Sequence, residues 1–353
     1  MAERLRVYAG TQEGMFVWRS SNGGWEEVSR SFTEGIIDSV AGCRLTPERV
    51  YTGVMIDGLY RTEDGGIGWQ KVLDRDVRAV SIDPTNEDVV YAGTEPVHLY
   101  RSEDRGNSWE ELTGLQDLSP EVQKRWWFPR EPHQGHVRYI FIHPDNPDTI
   151  YVGIEHGGVH RSFDRGKTWE DVTEGIDYVD IHMVKSLPHR FDRWFVSSAR
   201  GFFTSDDPSE GWVRAESGFT RDYFHDFVFL GSERAGAAPT MLACTADKSP
   251  GSWDRPERAR AAIFRSDDGA QSWQRVGAGL ADELQPMVWS LACHPEDPNA
   301  VFAGLGIVSR GQPFQRWGLG TPGAIMVTRD RGDSWQELGV KLPSDRVVWV
   351  AGD

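Results

Sequence analysis

The amino-acid sequence predicts an all-β protein, a seven-bladed β-propeller built from four-stranded antiparallel blades. Three observations predict this fold: a short turn motif recurs along the chain, apolar strand-forming runs precede its copies, and Gly and Trp are abundant, at 38 and 15 of 353 residues. Glycine is needed where many short strands reverse direction in tight turns. Because the repeats run from end to end, we expect residues 1–353 to form a single domain.

The repeated turn has the frame Arg-Ser/Thr-x-Asp-x-Gly-x-Ser/Thr-Trp. It occurs, with small departures, at residues 61–69, 101–109, 161–169, 265–273 and 328–335. Residues 20–25 and 205–212 carry degraded copies, which brings the number to seven. Ser, Thr and Asp side chains accept hydrogen bonds from the backbone of a tight turn, and Gly adopts positive φ there. Each copy therefore predicts a reinforced hairpin between the third and fourth strands of a blade.

This motif resembles the Asp-box, or BNR, repeat, and the resemblance covers nearly the whole chain. Propellers of this superfamily include sialidases, sortilin-type receptors, two-propeller glycanases and photosystem assembly factors. The resemblance implies the propeller fold, together with functions that range from glycoside cleavage to holding a protein partner. The Phe/Tyr-Arg-Ile-Pro signature of sialidases is absent from this sequence, so sialidase activity is not expected.

The first and last strands are expected to join. Inner strands are plain at 77–82, 137–142 and 288–293, whereas residues 7–10 match the second strand of a blade and have no first strand before them. Residues 346–351 form a strand without a blade of its own. Closure through these strands would remove an open sheet edge. We therefore expect the C-terminal strand to supply the first strand of the N-terminal blade.

Composition restricts the partners and the compartment. A formal net charge of −16 argues against binding to a nucleic-acid backbone. Cys43, Cys244 and Cys293 are odd in number and lie in or beside apolar runs, which favours buried free thiols. Neither a signal segment nor an apolar run long enough to cross a bilayer is visible. These features predict a cytoplasmic protein with no nucleic-acid and no membrane partner.

Polar residues recur near the start of the inner strands. Strand parity assigns the blade-to-blade loops to the face opposite the repeated turns, and three long insertions fall on that face. Counting back six residues from the turn after each inner strand gives a set expected at the mouth of the central channel: Asp38, Arg78, Arg138, His182 and Trp289, with His225 as the nearest match in its blade. Such side chains need hydration or a ligand.

The leading hypothesis is a site for a polar or anionic small molecule, such as a glycoside, which is cleaved by hydrolysis or elimination. Arg78 and Arg138 are expected to hold a substrate carboxylate. Further substrate contacts are expected from Trp126, Trp127, Trp289, Trp317 and His156. The acid, base or nucleophile candidates are His182, His225, Glu155 and Asp38.

Three alternatives remain open at this stage. His136, His182 and His225 come from neighbouring blades and could ligate a divalent metal ion, although no His-x-x-x-His or Cys-x-x-Cys spacing supports such a site. The propeller could instead be a non-catalytic platform for a protein partner or an assembly, as the resemblance to assembly factors implies. The polar set could also be a solvated channel lining. His143 and His294, each followed by Pro, are expected to cap turns.

Overall fold

Seven four-stranded antiparallel sheets form the blades of a propeller in the computed structural model of the chain. The structure describes residues 4–129, 131–188, 190–215, 217–231, 239–253, 259–282, 284–306, 323–343 and 345–352. Nearly all regular structure in these ranges is strand, and helix is limited to four short turns. The predicted seven-bladed all-β fold is confirmed.

The strands are numbered in chain order. The first blade takes its outer three strands from the N-terminus, β1 (Leu5–Thr11), β2 (Gly14–Ser21) and β3 (Gly24–Ser31). The second blade contains β4 (Ile37–Gly42), β5 (Val50–Val54), β6 (Gly58–Thr62) and β7 (Gln70–Leu73). The third contains β8 (Val77–Ile82), β9 (Val90–Thr94), β10 (Leu99–Ser102) and β11 (Glu110–Glu111). The fourth contains β12 (His136–Ile142), β13 (Ile150–Glu155), β14 (Gly158–Ser162) and β15 (Glu170–Asp171).

The remaining blades follow the same order. The fifth contains β16 (Ile181–Leu187), β17 (Arg190–Ser198), β18 (Gly201–Ser205) and β19 (Val213–Arg214). The sixth contains β20 (Tyr223–Leu230), β21 (Thr240–Ala246), β22 (Ala262–Ser266) and β23 (Gln274–Val276). The seventh contains β24 (Met287–Cys293), β25 (Val301–Gly306), β26 (Ala324–Thr328) and β27 (Gln336–Glu337). One α-helical turn (Pro120–Gln123) and three 3-10 turns (Thr113–Asp117, Pro208–Glu210, Pro250–Ser252) lie in connections.

The last strand, β28 (Asp345–Gly352), completes the first blade. It pairs antiparallel with β1, so that the sheet order is β28-β1-β2-β3. Val348, Val350 and Ala351 on this strand are buried in the core. The predicted closure of the ring by the C-terminal strand is therefore confirmed.

Neighbouring blades pack through apolar faces, and a recurring glycine on the second strand permits close approach. A Cβ atom added at Gly93 would lie 2.4 Å from Val137 on the first strand of the next blade. The same crowding occurs between Gly53 and the backbone of Val77. These contacts explain why glycine recurs in the Tyr-x-Gly pattern of the second strands.

The repeated turns form the reinforced hairpins that the motif predicts. In the third blade the Asp104 carboxylate accepts hydrogen bonds from the Ser108 backbone N–H at 2.8 Å and from the Ser108 hydroxyl at 2.7 Å. The Ser102 hydroxyl accepts from the Gly106 N–H, and Trp109 Nε1 donates to the Gly106 carbonyl. Hydrogen bonds to Ser108 and Ser102 lower the pKa of Asp104 to about 2. These aspartates stabilise turns.

Cysteine burial follows the sequence prediction in two cases of three. Cys43 and Cys244 are buried free thiols, whereas Cys293 is exposed, because it is the last residue of β24. The predicted turn caps are confirmed, since His143 Nδ1 accepts from two backbone N–H groups and His294 Nδ1 does the same. No helix in the described ranges is long and apolar enough to cross a membrane.

Candidate functional site

A β-bulge lies near the start of the first strand of every blade. In each bulge the first strand has one residue more than its partner, and in the second to seventh blades this re-aims the extra side chain. The register shifts fall at Asp38, Arg78, Arg138, His182 and Trp289, at the pair His225 and Asp226, and at Arg346. Six of these sites are the residues that the sequence predicts at the channel mouth.

Arg78 lies at the centre of a buried ion cluster. Its guanidinium is 3.3 Å from the Asp38 carboxylate, 3.0 Å from Asp76 and 2.9 Å from Glu95. The Arg78 side chain is only 6% exposed and that of Asp38 only 4%. Burial opposes the charge on Arg78, but the three carboxylates raise its pKa above its ordinary value. Arg78 therefore has its charge compensated within the protein.

A chain of contacts continues from this cluster across the fourth and sixth blades. His136 is 3.3 Å from Glu95 through Nδ1 and 2.9 Å from Glu155 through Nε2. Arg138 Nε lies 3.6 Å from the same Glu155 oxygen, and the Arg138 guanidinium donates to His225 Nε2 at 3.1 Å. These residues connect three blades in one polar network, which we call the paired half of the channel mouth.

The electrostatics of the paired half fix two charges. Burial opposes protonation of His136, but the Glu155 carboxylate outweighs it and raises the pKa of His136 to about 9. Burial likewise opposes ionisation of Glu155, and the charges of His136 and Arg138 hold its pKa well below the ordinary value. At neutral pH, Glu155 is a carboxylate and His136 an imidazolium.

A second group of residues on the same mouth makes few hydrogen bonds, and we call it the open half. Asp180 is 8% exposed, and its Oδ1 atom is buried without a hydrogen-bond partner. His182 Nε2 lies 3.7 Å from Oδ1, and His156 Nε2 lies 3.4 Å from Oδ2. Tyr223 packs its ring 5.1 Å from that of His182. The His182 Nδ1–H donates to the Phe224 carbonyl.

The pKa shifts in the open half differ from those in the paired half. Burial and repulsion from the Glu155 carboxylate raise the pKa of Asp180 well above its ordinary value, which favours its protonated form. Burial lowers the pKa of His182 to about 4, so its imidazole is neutral near pH 7. Burial and the nearby carboxylates raise the pKa of Tyr223, so its phenol is protonated there. His182 and Tyr223 can therefore serve as neutral hydrogen-bond donors or acceptors. Burial together with His182 also lowers the pKa of His225 in the paired half.

The insertion before the fourth blade covers part of this mouth. Phe128 contacts the rings of His136 and His156 at 5.7 and 5.3 Å between centroids. Trp127 is 51% exposed and stacks on His133 at 5.1 Å with an interplanar angle of 4°. The insertion therefore brings one aromatic side chain onto the polar network and leaves another facing solvent.

The other predicted aromatic contacts have different surroundings. Trp126 is partly buried and meets the His160 ring edge-on at 6.0 Å. Trp289 is 7% exposed, and its Nε1 donates to the Gly306 carbonyl at 3.0 Å. Trp317 lies outside the described residues.

The predicted histidine set does not form a metal centre in the part of the chain that the structure describes. No group of three or more His, Cys, Asp or Glu side chains there is arranged to hold a metal ion. His136 is paired with Glu155 and Glu95. His225 uses both ring nitrogens on Trp289 and Arg138. These nitrogens are already engaged by protein groups.

Most of the predicted polar residues thus meet at one mouth, but sequence analysis missed three important partners. Asp76, Asp180 and Tyr223 each lie two residues before a bulge residue, as does His136. The side chains of Asp76, Asp180 and Tyr223 lie next to those of Arg78, His182 and His225, respectively. An alignment of the inner strands that included the position two residues before each bulge would have shown a second set of polar residues.

The fold and this mouth define a seven-bladed propeller with a buried polar site at one end of its channel. No protein-family model matches the chain. It is 24% identical over 222 residues to the oligoxyloglucan-reducing end-specific xyloglucanase of Emericella nidulans, a match that covers 61% of this chain and 25% of that protein. It is 22% identical over 196 residues to the photosystem II assembly lipoprotein Ycf48 of Picosynechococcus sp., a match that covers 54% of this chain and 45% of that protein.

Solved structures resemble the fold over a longer range. The GH74 xyloglucanase from Xanthomonas campestris matches 96% of this chain and 53% of its own, with a TM-score of 0.66 and 16% identity. Ycf48 bound to D1 peptide matches 90% of this chain and 91% of its own, with a TM-score of 0.57 and 17% identity. The chain is a seven-bladed propeller similar to GH74 xyloglucanases and to Ycf48, and the matched segments span less than half the length of the curated relatives.

Proposed function

We propose that the protein binds a small polar molecule at the channel mouth and acts as an enzyme that cleaves a glycoside or a related compound. The observation that carries the proposal is the convergence of bulge residues from different blades on one buried polar network. Buried polar groups from several elements that converge on one place are typical of ligand sites. The relatives that cleave xyloglucan support this choice of chemistry by analogy alone.

Two carboxyl groups whose pKa values are shifted in opposite directions suit glycoside cleavage. Glu155 is held as a carboxylate by His136 and Arg138. Burial and the Glu155 charge raise the pKa of Asp180, which favours the protonated form that can donate a proton. A protonated acid beside an ionised carboxylate is the pair that protonates a leaving group and stabilises or attacks the resulting cationic centre. In this proposal Asp180 is the acid, Glu155 is the nucleophile or stabilising charge, and His182 and His225 are positioning residues.

We also propose that the repeated turns are Asp-box repeats. Support comes from the shared hydrogen-bond pattern, in which Ser or Thr binds the Asp carboxylate, and both bind backbone N–H groups of the turn. The turns contain the carboxylates Asp64, Asp104, Asp164, Asp268 and Asp330. These carboxylates are engaged by their own turns, so the ligand site is expected on the opposite face.

The experiment is a product survey with matched variants. Purified protein is incubated with oligosaccharides of differing composition, and products are identified by mass spectrometry. The wild type should release a defined product, while Glu155→Gln and Asp180→Asn should each reduce the rate at least about 100-fold, the usual effect of losing a general acid or nucleophile. Equal turnover by both variants would refute the assignment of these two residues. If no oligosaccharide is cleaved or bound, the proposed function is wrong.

A second candidate function is a platform for a protein or peptide partner. It is favoured by exposed apolar side chains, because Trp127 and Ile56 are 51% and 58% exposed. One solved structural relative is described as bound to a peptide. Binding of a peptide library that is lost in Trp127→Ala and retained in Glu155→Gln would favour this alternative.

A further inference from the structure

The two halves of the channel mouth differ in how their polar side chains are partnered. In the paired half, Arg78, Arg138, His136 and Glu155 each have an ion-pair or hydrogen-bond partner within 3.1 Å, although Arg78 Nε and His136 Nδ1 are buried without a hydrogen bond. In the open half, Asp180 Oδ1 is buried with no partner. A buried polar group without a partner costs about 1–3 kcal/mol, so native proteins seldom leave one without a reason. The open half is therefore where ligand atoms are expected to complete the hydrogen bonding.

The tautomer of His182 is set by its neighbour. Its Nδ1 lies in hydrogen-bond contact with the Phe224 carbonyl, which can only accept, so Nδ1 carries the proton. In neutral His182, Nε2 is then an acceptor, and it faces the Asp180 carboxyl at 3.7 Å, a distance too long for a direct hydrogen bond. A ligand group that lies beside this pair and contacts Nε2 must be able to donate to His182.

Tyr223 packs its ring against His182 of this pair, with 5.1 Å between the ring centroids. The charges of Asp180 and Glu155 act on its phenol and contribute to its raised pKa. Among the described residues, none forms a hydrogen bond with the Tyr223 hydroxyl, and the atom is not sealed from solvent. Tyr223 therefore supplies a neutral hydroxyl that has no protein partner, on a ring that contacts His182.

We infer that Asp180, His182 and Tyr223 form a subsite for a ligand hydroxyl group, and that the ligand is an uncharged polyhydroxylated molecule. This inference rests on the proposed function and names its substrate class. A hydroxyl can donate to His182 Nε2 while accepting from a neutral donor, which a carboxylate or phosphate oxygen cannot do. An ammonium group can donate but cannot accept, so it leaves the Tyr223 donor unused.

The two arginines of the channel mouth do not favour an anionic ligand, because protein groups already engage them. The two terminal nitrogens of Arg78 contact Asp38, Asp76 and Glu95, so no open fork remains for a substrate carboxylate. Arg138 is held between Glu155 and His225. The sequence-based expectation that both arginines anchor a carboxylate is replaced, in this inference, by recognition through neutral groups.

The test is a binding panel followed by matched variants. A glycan array carrying neutral, uronate-bearing and amine-bearing oligosaccharides is probed with the wild-type protein. The strongest ligand and its charged counterparts on the same sugar skeleton are then measured by isothermal titration calorimetry. We expect the neutral oligosaccharide to bind at least about tenfold more tightly than the uronate, because a carboxylate oxygen cannot donate a hydrogen bond to His182 Nε2.

The variants separate recognition from folding. Tyr223→Phe should weaken the neutral ligand by about fivefold to tenfold with an unchanged unfolding temperature, because its hydroxyl has no protein partner to lose. Asp180→Asn keeps a neutral donor and acceptor and should bind within about threefold of wild type, whereas Asp180→Ala should lose about tenfold. Tyr60→Phe is the matched control. It removes a tyrosine hydroxyl in the second blade that bonds Asp57 and lies outside the proposed subsite.

The outcomes distinguish this inference from the function on which it rests. If no glycan of any class binds, the proposed function fails. If a uronate or an amino sugar binds best, or if Tyr223→Phe and Asp180→Ala bind the neutral ligand as wild type does, the hydroxyl subsite is wrong while glycan binding stands. If the neutral ligand still binds to Asp180→Asn and binds more weakly to Asp180→Ala, the hydroxyl subsite is supported.

Discussion

Replacing Arg78 by Ala is the perturbation that most clearly separates a structural ion cluster from a ligand anchor. The variant would leave the carboxylates of Asp38, Asp76 and Glu95 close together without their cation. The side chains of Asp38 and Glu95 are 4% and 9% exposed, so water cannot replace the lost charge. Removing one partner of a buried ion pair costs about 3–5 kcal/mol, a large part of a typical net stability of about 5–15 kcal/mol.

The assay is chemical denaturation of wild type and variant over a pH series. At pH 7 we expect Arg78→Ala to be less stable by about 3–5 kcal/mol. The difference should shrink as the pH is lowered, because burial raises the pKa of Asp76 and its protonation removes part of the repulsion. Arg200→Ala is the control, since this exposed arginine lies over the Tyr178 ring at 4.4 Å and should cost less than about 0.5 kcal/mol. A pH-independent loss below about 0.5 kcal/mol for Arg78→Ala would refute the cluster.

Four further predictions concern the network and the ring. The pKa of His136 is raised from 6.5 to about 9. The stabilisation of the folded state by protonated His136 is therefore complete below pH 6.5 and is lost as the pH rises through 9. The denaturant midpoint of unfolding should fall over that window in wild type and much less in Glu155→Gln. The pKa of Glu155 is lowered, so its contribution disappears on the acid side, as pH falls below 4.5. Deleting residues 345–352 removes the first strand of the first blade and should abolish cooperative unfolding by calorimetry; an unchanged transition would contradict ring closure. Gly93→Ala places a Cβ atom 2.4 Å from Val137 and should destabilise by about 1–3 kcal/mol, whereas Gly24→Ala, with no atom within 4 Å, should be nearly neutral by denaturant titration.

The fold could be predicted from the sequence because its signals are local and repeated. Each Asp-containing turn marks the end of a third strand, and the strand at residues 346–351 supplies the only piece that the first blade lacks. These are patterns of hydrogen bonding and alternation that short segments carry by themselves. Seven copies of one pattern leave little freedom in the architecture.

The candidate site could be predicted only in part, because pairing between blades is not a local property. Sequence position singled out Arg78, Arg138 and His225, which the structure places in buried polar contacts near the starts of the first strands. It could not show that Arg78 is surrounded by carboxylates or that Asp180 lies without a hydrogen bond, since those contacts join residues far apart in the chain. The bulges that re-aim these side chains also depend on register between strands.

The most direct test of the account is a crystal structure of the wild-type protein with the tightest neutral oligosaccharide from the binding panel. We expect a ring hydroxyl within hydrogen-bond distance of the Asp180 carboxyl, His182 Nε2 and the Tyr223 hydroxyl. Ligand bound instead at the repeated turns, or in the groove lined by Gly201, Arg214 and Asp247, would contradict the assignment of the channel mouth as the functional site.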